Sequence, residues 1–260
     1  MKLTLRTSIS LIAVAVAVTS VAKKPETPQQ TLAEWAAEQT TTMPKIVEGV
    51  TMYRPEVNSD NMVINDFVDI KGQKGKQVFL KALMFARERL NGETERIDAV
   101  DFKNNRFTIR ANRAPIIKRD QEQYSYIQAF QGAEGILSFS CGEMSVYFKE
   151  KGLIPRTLNF ESLKPMTNDK HRDWIEGLSL AFSSRVEDLV NYIKTRPDIS
   201  ISHEQDIMNG VVVVGMNPDE VTLTLGKPFS VKKSGDRIKW LYDTGISIIF
   251  TNGKVSHVMM

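Results

Sequence analysis

The stretch that most restricts this chain's folding is its last fifty-odd residues, where a short helix is delimited at both ends by local chemistry. Asn217 suits an N-cap, because its side-chain oxygen can accept from an orphan N–H of the first turn. Pro218 falls at the first helical position, where a missing N–H costs nothing. Glu220 stands three residues past the cap, the spacing of a capping box, and with Asp219 it places negative charge at the positive end of the helix dipole. Val221 and Leu225 share one face, and Gly226 followed by Pro228 ends the helix. The period then changes to two. Ile238, Trp240 and Tyr242 alternate with Lys239, Leu241 and Asp243, and Ile246, Ile248 and Phe250 continue the alternation after a break. Asn252-Gly253 is a two-residue hairpin signal. With a second short helix over 205–210, the order is helix, helix, strand, strand, strand, an α+β unit with its helices on one face of an antiparallel sheet.

The spaced pattern Gly215-Met216…Glu220-Val221, Leu225-Gly226…Pro228, Trp240…Tyr242 and Phe250…Gly253-Lys254-Val255 resembles the SmpA/OmlA (BamE-like) family of bacterial outer-membrane proteins. It covers roughly residues 203–258. The resemblance implies an ααβββ module, shared with the beta-lactamase inhibitor protein, that makes protein–protein contacts in the envelope, sometimes as an accessory of outer-membrane assembly. The sequence departs from the family in having no lipidation cysteine near its N-terminus.

Export is expected from the N-terminus independently. Lys2 and Arg6 precede an apolar run from Ile9 to Val18, and Ser20-Val21-Ala22 ends in small residues, the layout of a signal peptide cleaved after Ala22. That run is short for a bilayer span, and no later segment is long and apolar enough, so no transmembrane segment is expected after cleavage. Peripheral membrane association stays open. Losing Lys2 and Arg6 leaves 32 basic against 31 acidic residues, a balance that argues against nucleic acid as a partner. Cys141 is the sole cysteine, so no internal disulfide can form.

Residues 23–60 read as a short helix over 32–38 followed by irregular chain, and a larger domain spans 61–197. Within it, Met62–Ile70 reads as a strand and Lys76–Leu90 as a helix, with Phe79, Leu83, Ala86 and Leu90 on one face. Ile97–Lys103 and Arg106–Asn112 form a hairpin around Asn104-Asn105. Further strands follow over 124–130, 136–148 and 153–163, with a turn at Lys151-Gly152 and a bulge or bend at Gly142. Trp174–Lys194 is the longest helix, capped by Asn168 or Asp169, with a stripe of Trp174, Leu178, Phe182, Val186, Leu189 and Ile193. The fold class is therefore α+β, two domains, each an antiparallel sheet with helices packed on one face. This order, with Val146-Tyr147-Phe148-Lys149 before Gly152, resembles a domain of unknown function with a TBP-like fold in secreted bacterial proteins. That phrase describes chain path and implies nothing about DNA.

The catalytic inventory is thin. His171, His203 and His257 stand apart from any second ligand at metal spacing, so no metal and no cofactor is expected. Cys141 lies inside an apolar strand, where a free thiol behaves as a small hydrophobe. Arg106, Arg110, Arg113, Lys118 and Arg119 form a basic cluster that reads as a solvated sheet face, or as a contact for an acidic polymer or lipid headgroup. Trp240 and Tyr242 read as core. The expectation is a non-enzymatic envelope protein acting through a protein partner, with no catalytic, cofactor-binding or metal residue assigned and the binding residues unknown. The alternatives are a binding module for a small ligand or glycan, with its pocket between helix and sheet or between domains, and an unrecognised hydrolase.

Overall fold

The computed structural model describes residues 46–47, 50–53, 55–58, 61–90, 92–115, 122–149, 154–160 and 169–260. The expected signal peptide, the expected helix over 32–38, turn at Lys151-Gly152 and cap at Asn168, and Lys118 with Arg119 lie outside the described residues.

The elements run β1 (Ile46–Val47), β2 (Val50–Thr51), β3 (Glu56–Asn58), β4 (Asn61–Asp69), α1 (Gly75–Arg89), β5 (Glu95–Asp101), β6 (Arg106–Ala114), β7 (Glu122–Ala133), β8 (Ile136–Phe148), β9 (Arg156–Asn159) and α2 (Asp169–Thr195). They continue with α3 (Glu204–Met208), α4 (Pro218–Leu225), β10 (Ser230–Ser234), β11 (Arg237–Leu241), β12 (Ser247–Thr251) and β13 (Lys254–Met259). Two antiparallel sheets carry the fold. One has seven strands in the order β3-β4-β8-β7-β6-β5, with β9 also on β8, and the other has four in the order β10-β11-β12-β13. The α+β class is as expected.

In the larger sheet the helix-facing phase is apolar because side chains alternate along each strand. Tyr124, Tyr126 and Phe130 of β7 point inward with Phe107 and Ile109 of β6 and Leu137, Phe139 and Cys141 of β8. Gly142 lies where β8 slips against β7 between Ser125 and Ile127, beside Glu143 at φ +51°, which is the expected bulge. The α2 stripe from Trp174 to Ile193 is buried as its spacing predicts.

Two regions differ from expectation. Residues 46–58 are not wholly irregular: they supply β1, β2 and β3, and the Tyr53 N–H donates to the Ser183 hydroxyl of α2 at 2.8 Å. The C-terminal unit has four strands after its helices rather than three. The added one, β10, pairs through the two-residue turn Gly235-Asp236 and lies at the sheet edge.

The C-terminal helix forms as its local chemistry requires. Asn217 accepts from the Glu220 N–H at 2.9 Å while Glu220 accepts from the Asn217 N–H at 2.8 Å. Gly226 then takes φ 82°, ψ −161°, a region open essentially to glycine alone. Helix α4 packs on α1 and on α3, and Val221, Leu223 and Thr224 are buried.

Side chains of α1 strap the connecting segment down. Gln77 exchanges hydrogen bonds with both backbone groups of Ile199, at 2.9 and 2.8 Å. Lys81, itself buried, reaches Asp198 at 2.8 Å, and Lys76 pairs with Glu204. Arg196 joins Glu88 of α1 (3.2 Å), Tyr192 of α2 (2.6 Å) and Asp219 of α4 (2.9 Å).

Candidate functional site

The longest apolar surfaces of the larger domain do not close completely on one another. Between α1, α2 and strands β6 and β7 lies a cleft of about 670 Å³. Phe85, Phe107, Phe130, Leu178, Phe182 and Leu189 are among the residues that line it. A cavity of this size and lining lies inside the usual range of ligand sites, roughly 300–1,000 Å³.

Four polar side chains converge in it. Tyr126 and Gln128 stand two apart on β7 and share its inward phase, Arg185 comes from α2, and Glu95 opens β5. Arg185 Nη2 meets Glu95 Oε1 at 2.6 Å, while its Nη1 donates to Gln128 Oε1 at 2.9 Å and reaches the Tyr126 oxygen at 3.4 Å. The Tyr126 hydroxyl donates to the same Glu95 oxygen. Burial is the main force on the Tyr126 phenol and pushes it up; Arg185 opposes the rise and Glu95 adds to it. Burial pulls on the Arg185 guanidinium in the opposite sense, and Tyr126 and Glu95 outweigh it, so Arg185 stays charged. Beneath the cluster, Cys141 faces Gln128 across the β7–β8 pair, and burial drives its thiol up to about 12. A thiol so raised is a poor nucleophile at neutral pH. Arg89 and Asp188 sit at the exposed rim.

The chemistry-bearing residues weighed from sequence fall elsewhere. His171 lies beside Trp174, with ring centroids 5.4 Å apart and planes tilted by 31°. His203 Nδ1 lies 3.0 Å from the buried Glu220 carboxylate, and His257 is exposed on β13. Burial raises Glu220, yet the backbone N–H groups of Ser202, Asn217 and His203, with the His203 ring, hold it down at about 2. In the basic cluster, Arg110 pairs with Asp98 at 3.1 Å and Arg113 lies over the Tyr147 ring at 4.2 Å. Tyr242 is core, its hydroxyl donating to the Gly226 carbonyl at 3.2 Å. Trp240 is half-exposed and lines a second recess of about 310 Å³ with Glu88, Arg89, Thr222, Lys227 and Pro228.

No family model matches the chain, and no curated protein matches it. Among solved structures, it is similar to a TBP-like protein from Parabacteroides distasonis, with a TM-score of 0.44 and 8% identity over 54% of this chain and 97% of that one. It is also similar to a DUF4468 family protein from Bacteroides ovatus, with a TM-score of 0.42 and 14% identity over 58% of this chain and 96% of that one. The first bears the TBP-like description expected for residues 61–196.

Proposed function

We propose that this protein is a non-catalytic binding protein whose larger domain holds a small amphipathic molecule in the cleft between α1, α2 and the sheet. The observation that carries the reading is the convergence of Glu95, Tyr126, Gln128 and Arg185 within otherwise apolar walls. A guanidinium offers five N–H donors, and the three bonds that Arg185 makes here leave donors for an acceptor on the ligand. The cluster is close to neutral, one cation against one anion, which favours an uncharged or singly anionic head on an apolar body. Binding rather than chemistry is supported by the Cys141 thiol and the Tyr126 phenol, neither of which is poised for proton transfer near neutral pH. Displacement of 1-anilinonaphthalene-8-sulfonate by dodecanoic acid tests the reading. Ala181→Trp, which fills the cleft from α2, abolishes the displacement while the melting temperature holds. Unchanged displacement in that variant refutes it.

A second reading concerns the C-terminal module. The export signal and the SmpA/OmlA-like pattern support contact with an envelope protein, in outer-membrane assembly or maintenance, by a chain cleaved after Ala22. The exposed apolar pair Phe229 and Val231 favours it. Cell fractionation with N-terminal sequencing is the check, and an uncleaved cytosolic chain overturns it.

A further inference from the structure

We propose that the open edge of β10 is a docking strip for an extended acidic segment of a partner protein, which adds to the C-terminal sheet as a fifth strand and seats a large apolar side chain beside Trp240. The proposal rests on the protein-contact reading of that module and names the contact.

The two edges of this sheet differ. At β13, the Gly215 N–H donates to the Val255 carbonyl at 2.9 Å and the Val255 N–H donates to Met216 at 2.8 Å, so a short segment covers that edge in part. Strand β10 pairs with β11 alone. Counting outward from its two-residue turn, antiparallel alternation leaves the backbone groups of Val231 and Lys233 facing away from β11. Unpaired edge groups of this kind are a template for an incoming strand.

Apolar surface accompanies the edge. Phe229 is 82% exposed and Val231 56%. Val231 is registered against Trp240, whose ring packs on Phe250 and lines the 310 Å³ recess with Pro228. That recess has room for one aromatic side chain.

Charge selects the occupant. Residues 227–260 hold six Lys and Arg against two acidic residues, although the whole chain is nearly balanced. Lys227, Lys232, Lys233, Arg237 and Lys239 form no ion pair among the described residues. Lys232 and Lys239 are registered against each other on the face turned from α4, while Val231 and Trp240 share the helix side. An incoming strand that alternates acidic and apolar residues matches both faces at once. Lysines on an edge also guard against aggregation, but a purely protective edge has no use for exposed Phe229 and Val231. A second copy is the wrong occupant, because self-pairing sets the lysines of β10 against their own equivalents.

The test uses the chain from Lys23 onward and a labelled peptide Glu-Val-Glu-Phe-Glu-Val-Glu, read by fluorescence polarisation and amide hydrogen exchange. The expected result is slowed exchange at Val231 and Lys233, with affinity falling about tenfold or more in Lys232→Glu. Equal binding by that variant, or no protection of β10 at millimolar peptide, overturns the proposal. Protection by phosphatidylglycerol vesicles but not by the peptide makes the strip a lipid site and overturns it too. Photo-crosslinkers at Phe229 and at His257, used in cells, separate the two levels. Adducts at His257 alone sink the edge while sparing the protein-contact reading, and adducts at neither position sink both.

Discussion

Replacing Arg185 with leucine isolates the energy of the polar cluster in the cleft. The substitution takes the Arg185 guanidinium away from Glu95, whose side chain is only 15% exposed. Breaking a buried pair from one side costs about 3–5 kcal/mol. Partial solvent access at Arg185, 25% exposed, screens the charge and brings the expectation to roughly 2–3 kcal/mol. With a urea slope of about 3 kcal/mol per molar for a chain of this length, the midpoint falls by nearly 1 M. Adding Glu95→Leu removes the carboxylate that Arg185 served and should recover part of the loss. The double variant settles about 1–2 kcal/mol below the parent, because Tyr126 and Gln128 each lose a hydrogen-bond partner. Urea denaturation of the parent, both single variants and the double variant gives the coupling directly. If the single losses sum to the double within about 0.5 kcal/mol, the residues are independent and the cluster is not a unit.

Gly226→Val combines a forbidden backbone region with a Cβ placed 3.1 Å from the Arg87 carbonyl of α1, so stability falls by about 2 kcal/mol or more. An unchanged thermal midpoint in the full chain refutes that placement. Glu220 predicts acid sensitivity. Its folded value of about 2 lies below the ordinary 4.5, so its contribution, on the order of 3 kcal/mol, is complete above pH ~5 and disappears as pH falls toward 2. Glu220→Gln should be less stable than the parent at pH 7 and equal to it near pH 2. Parallel stability–pH curves for the two proteins refute the assignment.

What the sequence made legible was local. The capping box of Asn217 and Glu220, the Asn252-Gly253 turn with φ of 51° and 73°, and the α2 stripe each follow from residues within a few positions of one another. Strand β10 was hidden because an exposed edge buries neither face. Val231, Lys232, Lys233 and Ser234 are all exposed, so no alternation in hydrophobicity marks them as a strand. Strands β1, β2 and β3 escaped for another reason: segments of two or three residues are too short to carry a period.

The cleft was non-local, assembled from β5, β7 and α2 across ninety positions between Glu95 and Arg185. Two of its members nevertheless break their own pattern. Gln128 interrupts the inward phase Tyr124, Tyr126, Phe130 of β7, and Arg185 stands between Phe182 and Leu189 on the apolar side of α2. A polar side chain in an apolar phase must find a partner when buried, since an unmet hydrogen bond costs about 1–3 kcal/mol. Two such violations on different elements therefore imply either that they satisfy each other or that a ligand does. Here Arg185 and Gln128 meet at 2.9 Å and donors remain, so the same pair that breaks the hydrophobic pattern also holds the cleft open to a polar head group.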